Sequence, residues 1–279
     1  VRAAAEMLNY DPFIIAKIER SGAYNHLYDI LRLTDGIMVA RGDLGVEIPV
    51  AEIAQAQKKI IAQAKRLAVP VITATHMLES MITNSRPTRA EVTDVANAIL
   101  DGTDCVMLSG ETAVGEVPVD AVDVMAGIAR ETEPYCSGNK VANILLADQH
   151  GGKPDSDNLV SGSIYVTTEA YDTVAVVVPT LTGRTARMIS RFHLPVWIVA
   201  VSPEESTCQN LQFSYGVYPV HEKERPASWR QYAVDWLKRH EVPGDLALLT
   251  QGSSRAHTGG TDRMEIIDLN QPVSETSVW

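Results

Sequence analysis

Between residues 1 and about 136 the chain alternates short apolar runs with longer stretches whose apolar residues recur at helical spacing, and this alternation constrains the fold more than any other feature. Residues 13–19, 36–41, 70–75 and 105–109 read as strands. Between them, Ile53, Ile60, Ile61, Ala64 and Leu67 keep to one face of a helix over 51–68. Val92, Val95, Ala96, Ile99 and Leu100 do the same over 88–100. Strand–helix repetition predicts right-handed βαβ units and a parallel sheet. Four such units stand in this region. A turn-rich stretch, 137–157, reads as a linker or extended loop. A second α/β region follows, with strands at 174–179, 196–202, 217–221, 245–250 and 263–269 and helices at 183–192 and 226–240. Residues 161–171 are ambiguous, because β-branched residues favour a strand while their place before the 174–179 strand favours a helix. Helix is the expectation taken here. The tail after Asn270 is expected to be loose.

Composition narrows the class. With 279 residues, 45% of them hydrophobic and 21% charged, the chain is neither disordered nor collagen-like, and its length suggests two domains. No apolar run approaches the roughly 18 residues that span a bilayer, so no membrane association is expected. A formal net charge of -11 argues against a nucleic-acid surface. Three cysteines, Cys105, Cys136 and Cys208, lack metal-ligand spacing and suit reduced thiols in a cytoplasmic protein. No signal peptide is visible, and Val1 is not expected to be a natural start.

The polar residues of the first region gather where its strands end. Positions two apart on a strand share a face, so Lys17 and Glu19 are expected to project together. Arg41 and Asp43 continue the series of Ile37 and Val39, Thr73 and Thr75 end the third strand, and Ser109 and Glu111 end the fourth. The C-terminal edge of a parallel sheet, in a barrel or an open sheet, is where ligands bind. Glu19 and Asp43 could supply hard oxygens to Mg²⁺. Lys17 beside them would neutralise a phosphoryl group or an enolate. The glycines around Asp43 let a substrate carboxylate approach backbone amides. Together these residues describe an anionic, phosphorylated or carboxylated substrate held through a metal. The competing readings are structural: Lys17–Glu19 as a surface ion pair, Asp43 as a turn residue, Thr75 as a helix N-cap.

Six segments carry a resemblance: Ile15-Ala-Lys-Ile-Glu19, Met38-Val-Ala-Arg-Gly-Asp-Leu-Gly-Val-Glu47, Thr73-Ala-Thr-His-Met-Leu-Glu-Ser80, Arg86-Pro-Thr-Arg-Ala-Glu91, Asp94-Val-Ala-Asn-Ala98 and Met107-Leu-Ser-Gly-Glu-Thr-Ala113. In order and spacing they resemble the pyruvate kinases, strongly over residues 1 to about 130 and more weakly to about 269. The resemblance implies an α/β fold: half of a (β/α)8 TIM-type barrel over 1–136, then a smaller regulatory domain over 158–270 with a mostly parallel sheet. It implies transfer of a phosphoryl group from phosphoenolpyruvate to ADP in glycolysis, giving pyruvate and ATP. Lys17 would match the lysine that stabilises the phosphoryl group and enolate, and Glu19 and Asp43 the ligands of Mg²⁺ or Mn²⁺. The backbone of Gly42 and Asp43 would bind the substrate carboxylate. Thr75 would help protonate enolpyruvate, and Arg41, Ser109 and Glu111 would support the site. The family commonly has Gln where His76 stands; a side chain facing the pocket would bring a titrating group to it.

Four strands are half of an eight-stranded barrel. The resemblance begins midway through the family's barrel, so the chain is expected to be a portion of such an enzyme, without its K⁺ ligands, its lid and most of its nucleotide contacts. In the second region, Thr180, Thr182, Gly183, Arg184 and Thr185 lie between a strand and a helix, where backbone amides make a phosphate site. The resemblance implies a sugar-phosphate effector there, with Ser253, Arg255, His257, Thr258 and Gly259 closing over it, and a homotetramer as the assembly. A capped helix start without a ligand is the plainer alternative for that loop. Two other readings of the whole chain are a non-catalytic sugar-phosphate-binding or assembly module and a metal-dependent enolate lyase.

Overall fold

A computed structural model of the chain describes residues 1–136, 156–252 and 260–271. It divides into two compact units, Val1–Ser137 and Gly138–Trp279. In the first, helix α1 (Arg2–Glu6) precedes strand β1 (Ile15–Ile18), and α2 (Ser21–Asn25) and α3 (Leu27–Leu31) lead to β2 (Gly36–Ala40). Then come α4 (Arg41–Glu47), α5 (Ile53–Arg66), β3 (Val71–Ala74), α6 (Arg89–Asp101), β4 (Cys105–Val106), α7 (Gly110–Ala113) and α8 (Pro118–Thr132). The four strands are parallel and lie in chain order, β1-β2-β3-β4.

The longer helices of this unit each present an apolar face, and α6 adds a side-chain cap. Helix α5 buries Ala56, Ile60, Ile61 and Ala64 against Ile18, Ile37, Val39 and Val71 of the sheet. Helix α6 opens on a reciprocal capping box, Thr88 with Glu91, and closes on Gly102 in the left-handed conformation at φ +93°. Helix α8 starts with Pro118 at its first turn and packs Ala121 and Met125 against Val95, Ala98 and Ile99.

Strand ends depart from expectation. The second strand stops at Ala40, whose ψ of 83° turns the chain into α4, so Arg41 and Asp43 lie on a helix rather than on an alternating strand face. Thr73 does not share an outlook with Thr75. It is fully buried, with its hydroxyl bonded to Thr103 Oγ1 at 3.0 Å. The strand expected at 105–109 is two residues long, and Glu111 lies in α7.

The second unit contains α9 (Ser156–Ala170), β5 (Ala175–Pro179), α10 (Arg184–Ser190), β6 (Trp197–Ser202), α11 (Glu205–Leu211), β7 (Val217–His221), α12 (Trp229–Arg239), β8 (Leu246–Gln251) and β9 (Arg263–Asp268). Its sheet has the order β7-β6-β5-β8-β9, parallel throughout except for β9, which runs antiparallel to β8. Val176, Val178, Ile198 and Leu248 fill one face with Ile164 and Ile189. Val177, Val199 and Leu249 fill the other with Ala233 and Leu237. The ambiguous segment is helix, because its apolar side seals the sheet and that packing overrides the strand preference of its β-branched residues. The helix starts at Ser156, inside the stretch expected as linker. Residues 137–155 and 272–279 lie outside the described residues.

Candidate active site

Site chemistry collects at the C-terminal ends of β1 to β4. Lys17, near the end of β1, directs its ammonium to two carboxylates: Glu19 Oε2 at 2.8 Å and Asp43 Oδ2 at 2.9 Å. Asp43 reaches it from the first turn of α4. The three groups are open to solvent, with 49% of the Lys17 side chain and 57% of the Asp43 side chain exposed. Hydrogen bonds that the ammonium donates to Asp43 and then to Glu19 raise the Lys17 pKa well above lysine's ordinary value. The ammonium therefore stays charged throughout the neutral range.

Two carboxylates aimed at one point, Asp43 exposed and Glu19 half-buried, are also a hard-oxygen donor pair of the kind Mg²⁺ accepts. Among the described residues no group of three or more His, Cys, Asp or Glu comes together. A cation held by Glu19 and Asp43 would take its other ligands from water and substrate, as Mg²⁺ commonly does. The residues fit such an ion.

The end of β3 is strained. Thr75 and His76 both have positive φ, +66° and +52°, a conformation that costs of order 1–3 kcal/mol per non-glycine residue and is least natural for a β-branched one. Thr75 Oγ1 accepts the Gly42 amide at 2.9 Å and donates to the Ala74 carbonyl at 2.7 Å. It caps no helix. The next helical turn starts at Glu79, with Leu78 at its cap position. A Cβ on Gly42 would lie 3.2 Å from His76 Cε1, so the imidazole would have to give by a few tenths of an ångström to admit one. His76 therefore faces the site and lies 3.4 Å from Glu79.

Arg41, 9% exposed, backs this turn. Its guanidinium donates to the carbonyls of Ala74, Thr75 and His76 and pairs with Asp94 at 2.6 Å. Buried Glu111 ties two loops together, accepting Leu78 N at 3.0 Å and Ser109 N at 2.7 Å, while Ser109 itself is exposed. The structure thus gathers Lys17, Glu19 and Asp43 in one cluster and Gly42 with Thr75 in another contact. The Arg41 partners Asp94 and Gln57 were given no role from sequence. The available signal was a buried polar residue, Gln57, on the apolar side of α5.

In the second unit the loop after β5 satisfies many of its own polar groups. Thr180 Oγ1 accepts Gly183 N at 3.0 Å, and Thr185 Oγ1 lies 2.6 Å from Thr261 Oγ1. Gly183 takes φ +76°. Arg184 Nε pairs with buried Asp157 at 2.8 Å, leaving 54% of the arginine side chain exposed. Thr182 is exposed. Asp157, which sequence reading overlooked, also accepts Thr261 N at 2.7 Å. The expected closing loop, Ser253, Arg255, His257, Thr258 and Gly259, lies outside the described residues.

Comparison with known proteins covers both units. Residues 1–122 match the family model "Pyruvate kinase, barrel domain", and residues 158–267 match "Pyruvate kinase, alpha/beta domain". The chain is 43% identical to a pyruvate kinase of Thermococcus litoralis over 273 residues, 96% of this chain and 57% of that protein. It is 41% identical to pyruvate kinase 2 of a Synechocystis species over 257 residues, covering 91% and 42%. It is also 41% identical to a pyruvate kinase of Geobacillus stearothermophilus over 260 residues, covering 91% and 43%. The chain spans about half the length of the curated relatives it matches. None of its described helices is long and apolar enough to cross a membrane.

Proposed function

The chain belongs to the pyruvate kinase family, and from that premise we propose that its first unit carries part of a site for phosphoryl transfer from phosphoenolpyruvate to ADP. The observation that carries this reading is the convergence of Lys17, Glu19 and Asp43 at the sheet's C-terminal edge. Phosphoryl transfer depends on positioning and charge stabilisation. Lys17 is a fixed positive charge for the phosphoryl oxygens and for the enolate left when the bond to the enol oxygen breaks. Glu19 and Asp43 are the residues that would hold Mg²⁺ or Mn²⁺. When bound, the ion would neutralise charge on the transferring group. Thr75 offers its hydroxyl, with water, on the path of the proton that the enolate takes up at its methylene carbon. The first-turn amides of α4 remain candidates for the substrate carboxylate. Gly42 serves there only if its amide exchanges the Thr75 hydroxyl for the substrate.

The family's chemistry also involves K⁺ in general. A homotetramer, a cytoplasmic location and a sugar-phosphate effector at Thr180–Thr185 belong to the same proposal. Exposed Arg184 supports the effector reading, and the internally bonded Thr180 and Thr185 favour the ligand-free alternative. A rise in unfolding temperature with a sugar phosphate, absent in Arg184→Ala, would favour the first.

The central test is pyruvate formation by the 279-residue chain from phosphoenolpyruvate and ADP with Mg²⁺, beside Lys17→Met. Turnover that disappears in the variant supports the reading. A folded, soluble wild type no faster than the variant would remove this activity from the chain on its own.

A further inference from the structure

We propose that Arg41 is a positioning residue of this site: its guanidinium, oriented by Asp94 and Gln57, holds the left-handed turn at Thr75 and His76 and so seats the Thr75 hydroxyl against the Gly42 amide. The inference deepens the functional reading above and rests on it for the role of Thr75. Its geometric half stands independently.

In a strand, successive carbonyls point to opposite sides. Three consecutive carbonyls can address one side chain only where the chain leaves the strand, as it does after Ala74. Arg41 Nε donates to Ala74 O at 3.3 Å, and Nη2 donates to Thr75 O at 2.7 Å and His76 O at 3.3 Å. These are the carbonyls that flank and span the two positive-φ residues. The remaining nitrogen, Nη1, is held by Asp94 Oδ2 at 2.6 Å and lies 3.5 Å from Gln57 Oε1. Gln57 is in turn fixed by its bond to buried Asp101 at 2.9 Å.

The planar guanidinium suits this task because its donors lie in a fixed fork; an ammonium is a compact charge with no such fork. Position matters as well. Arg41 is the first residue of α4 and Gly42 the second, so the side chain of one and the main chain of the next grip the same turn from the end of β2. The strained conformation is thus overdetermined by its surroundings, the condition under which such strain persists at a working site.

The test uses the full chain with Arg41→Gln, Arg41→Lys, Asp94→Asn, Thr75→Ala and the Arg41→Gln/Thr75→Ala double variant. The first readout is amide hydrogen exchange. In Arg41→Gln the Gly42 amide is expected to exchange about tenfold faster or more, while the Met107 amide, bonded to Thr73 O across the β3–β4 edge, keeps its protection. Arg41→Lys should behave as Arg41→Gln does. Should Arg41→Gln fail to fold, Asp94→Asn, which keeps the guanidinium and removes its charged partner, is read in the same way. The second readout is turnover. kcat is expected to fall roughly 10- to 100-fold with little change in KM for phosphoenolpyruvate, and the double variant should be no slower than Thr75→Ala. Unchanged Gly42 exchange, equal acceleration at Met107, full rescue by lysine, or additive losses in the double variant would each overturn the proposal. If the wild type does not turn over, the functional reading fails while the exchange experiment still decides whether Arg41 holds the turn.

Discussion

The exposed triad of Lys17, Glu19 and Asp43 has a definite pH signature. A folded-state pKa raised above the unfolded value near 10.4 gives stability that is complete below that value and is lost as pH climbs through the folded one. The stability difference between wild type and Lys17→Met should therefore be flat from about pH 6 to about pH 9 and shrink only above about pH 10, as read from urea midpoints. Thr75 makes a second residue-scale case. Its φ of +66° penalises any side chain with a Cβ, whereas glycine adopts that region freely. Thr75→Gly should accordingly be more stable than Thr75→Ala by about 1 kcal/mol in denaturant unfolding, and neither should support proton transfer through a hydroxyl.

At the scale of elements, the start of α6 is a measurable charge device. Burial pushes the Glu91 carboxyl up, but bonds from the Ser80 hydroxyl and amide and from the Thr88 amide and hydroxyl outweigh it and hold the pKa below its usual value. A depressed carboxyl contributes stability above its unfolded pKa and loses it as pH falls. Glu91→Gln should cost about 1 kcal/mol at pH 7, and the difference should begin to shrink below about pH 4 and vanish as pH falls through the lowered folded-state value, with unfolding followed by circular dichroism. This element was readable in the sequence because Thr88, Glu91 and Gly102 are local signals. The end of β2 was not. Alternation carried it through Asp43, and nothing in Ala40-Arg41 announces the turn that places Asp43 on a helix beside Lys17. The left-handed Thr75–His76 pair was equally silent, since it lacks the glycine or asparagine that usually marks such a turn. It is imposed by Arg41 and Gly42, over thirty positions away in the chain. Helix α8 went unread, and α9 was legible only through its place before a strand.

For the molecule as a whole, the two sheets differ in how their edges are guarded. β1 and β4 each have a neighbour on one side only, and Lys17 on β1 is the single charged residue of these two strands. The second sheet ends in β7, which carries Pro219, and β9, which carries Arg263, Glu265 and Asp268. Proline and charge discourage edge pairing. Separately expressed, residues 1–136 should self-associate in sedimentation velocity while 138–279 remains monomeric at the same concentration. The order of strands also bears on how the chain is made. In the first unit each new strand joins the one just synthesised, so the sheet can lengthen stepwise as the polypeptide leaves the ribosome. The second unit cannot be finished that way: its first described helix carries buried Asp157, which pairs with Arg184 and also accepts the amide of Thr261, 104 residues later. Nascent chains stalled before Thr261 would keep the Asp157–Arg184 pair but lack the contact that ties this helix to the approach of β9, so the unit closes only once that segment has emerged.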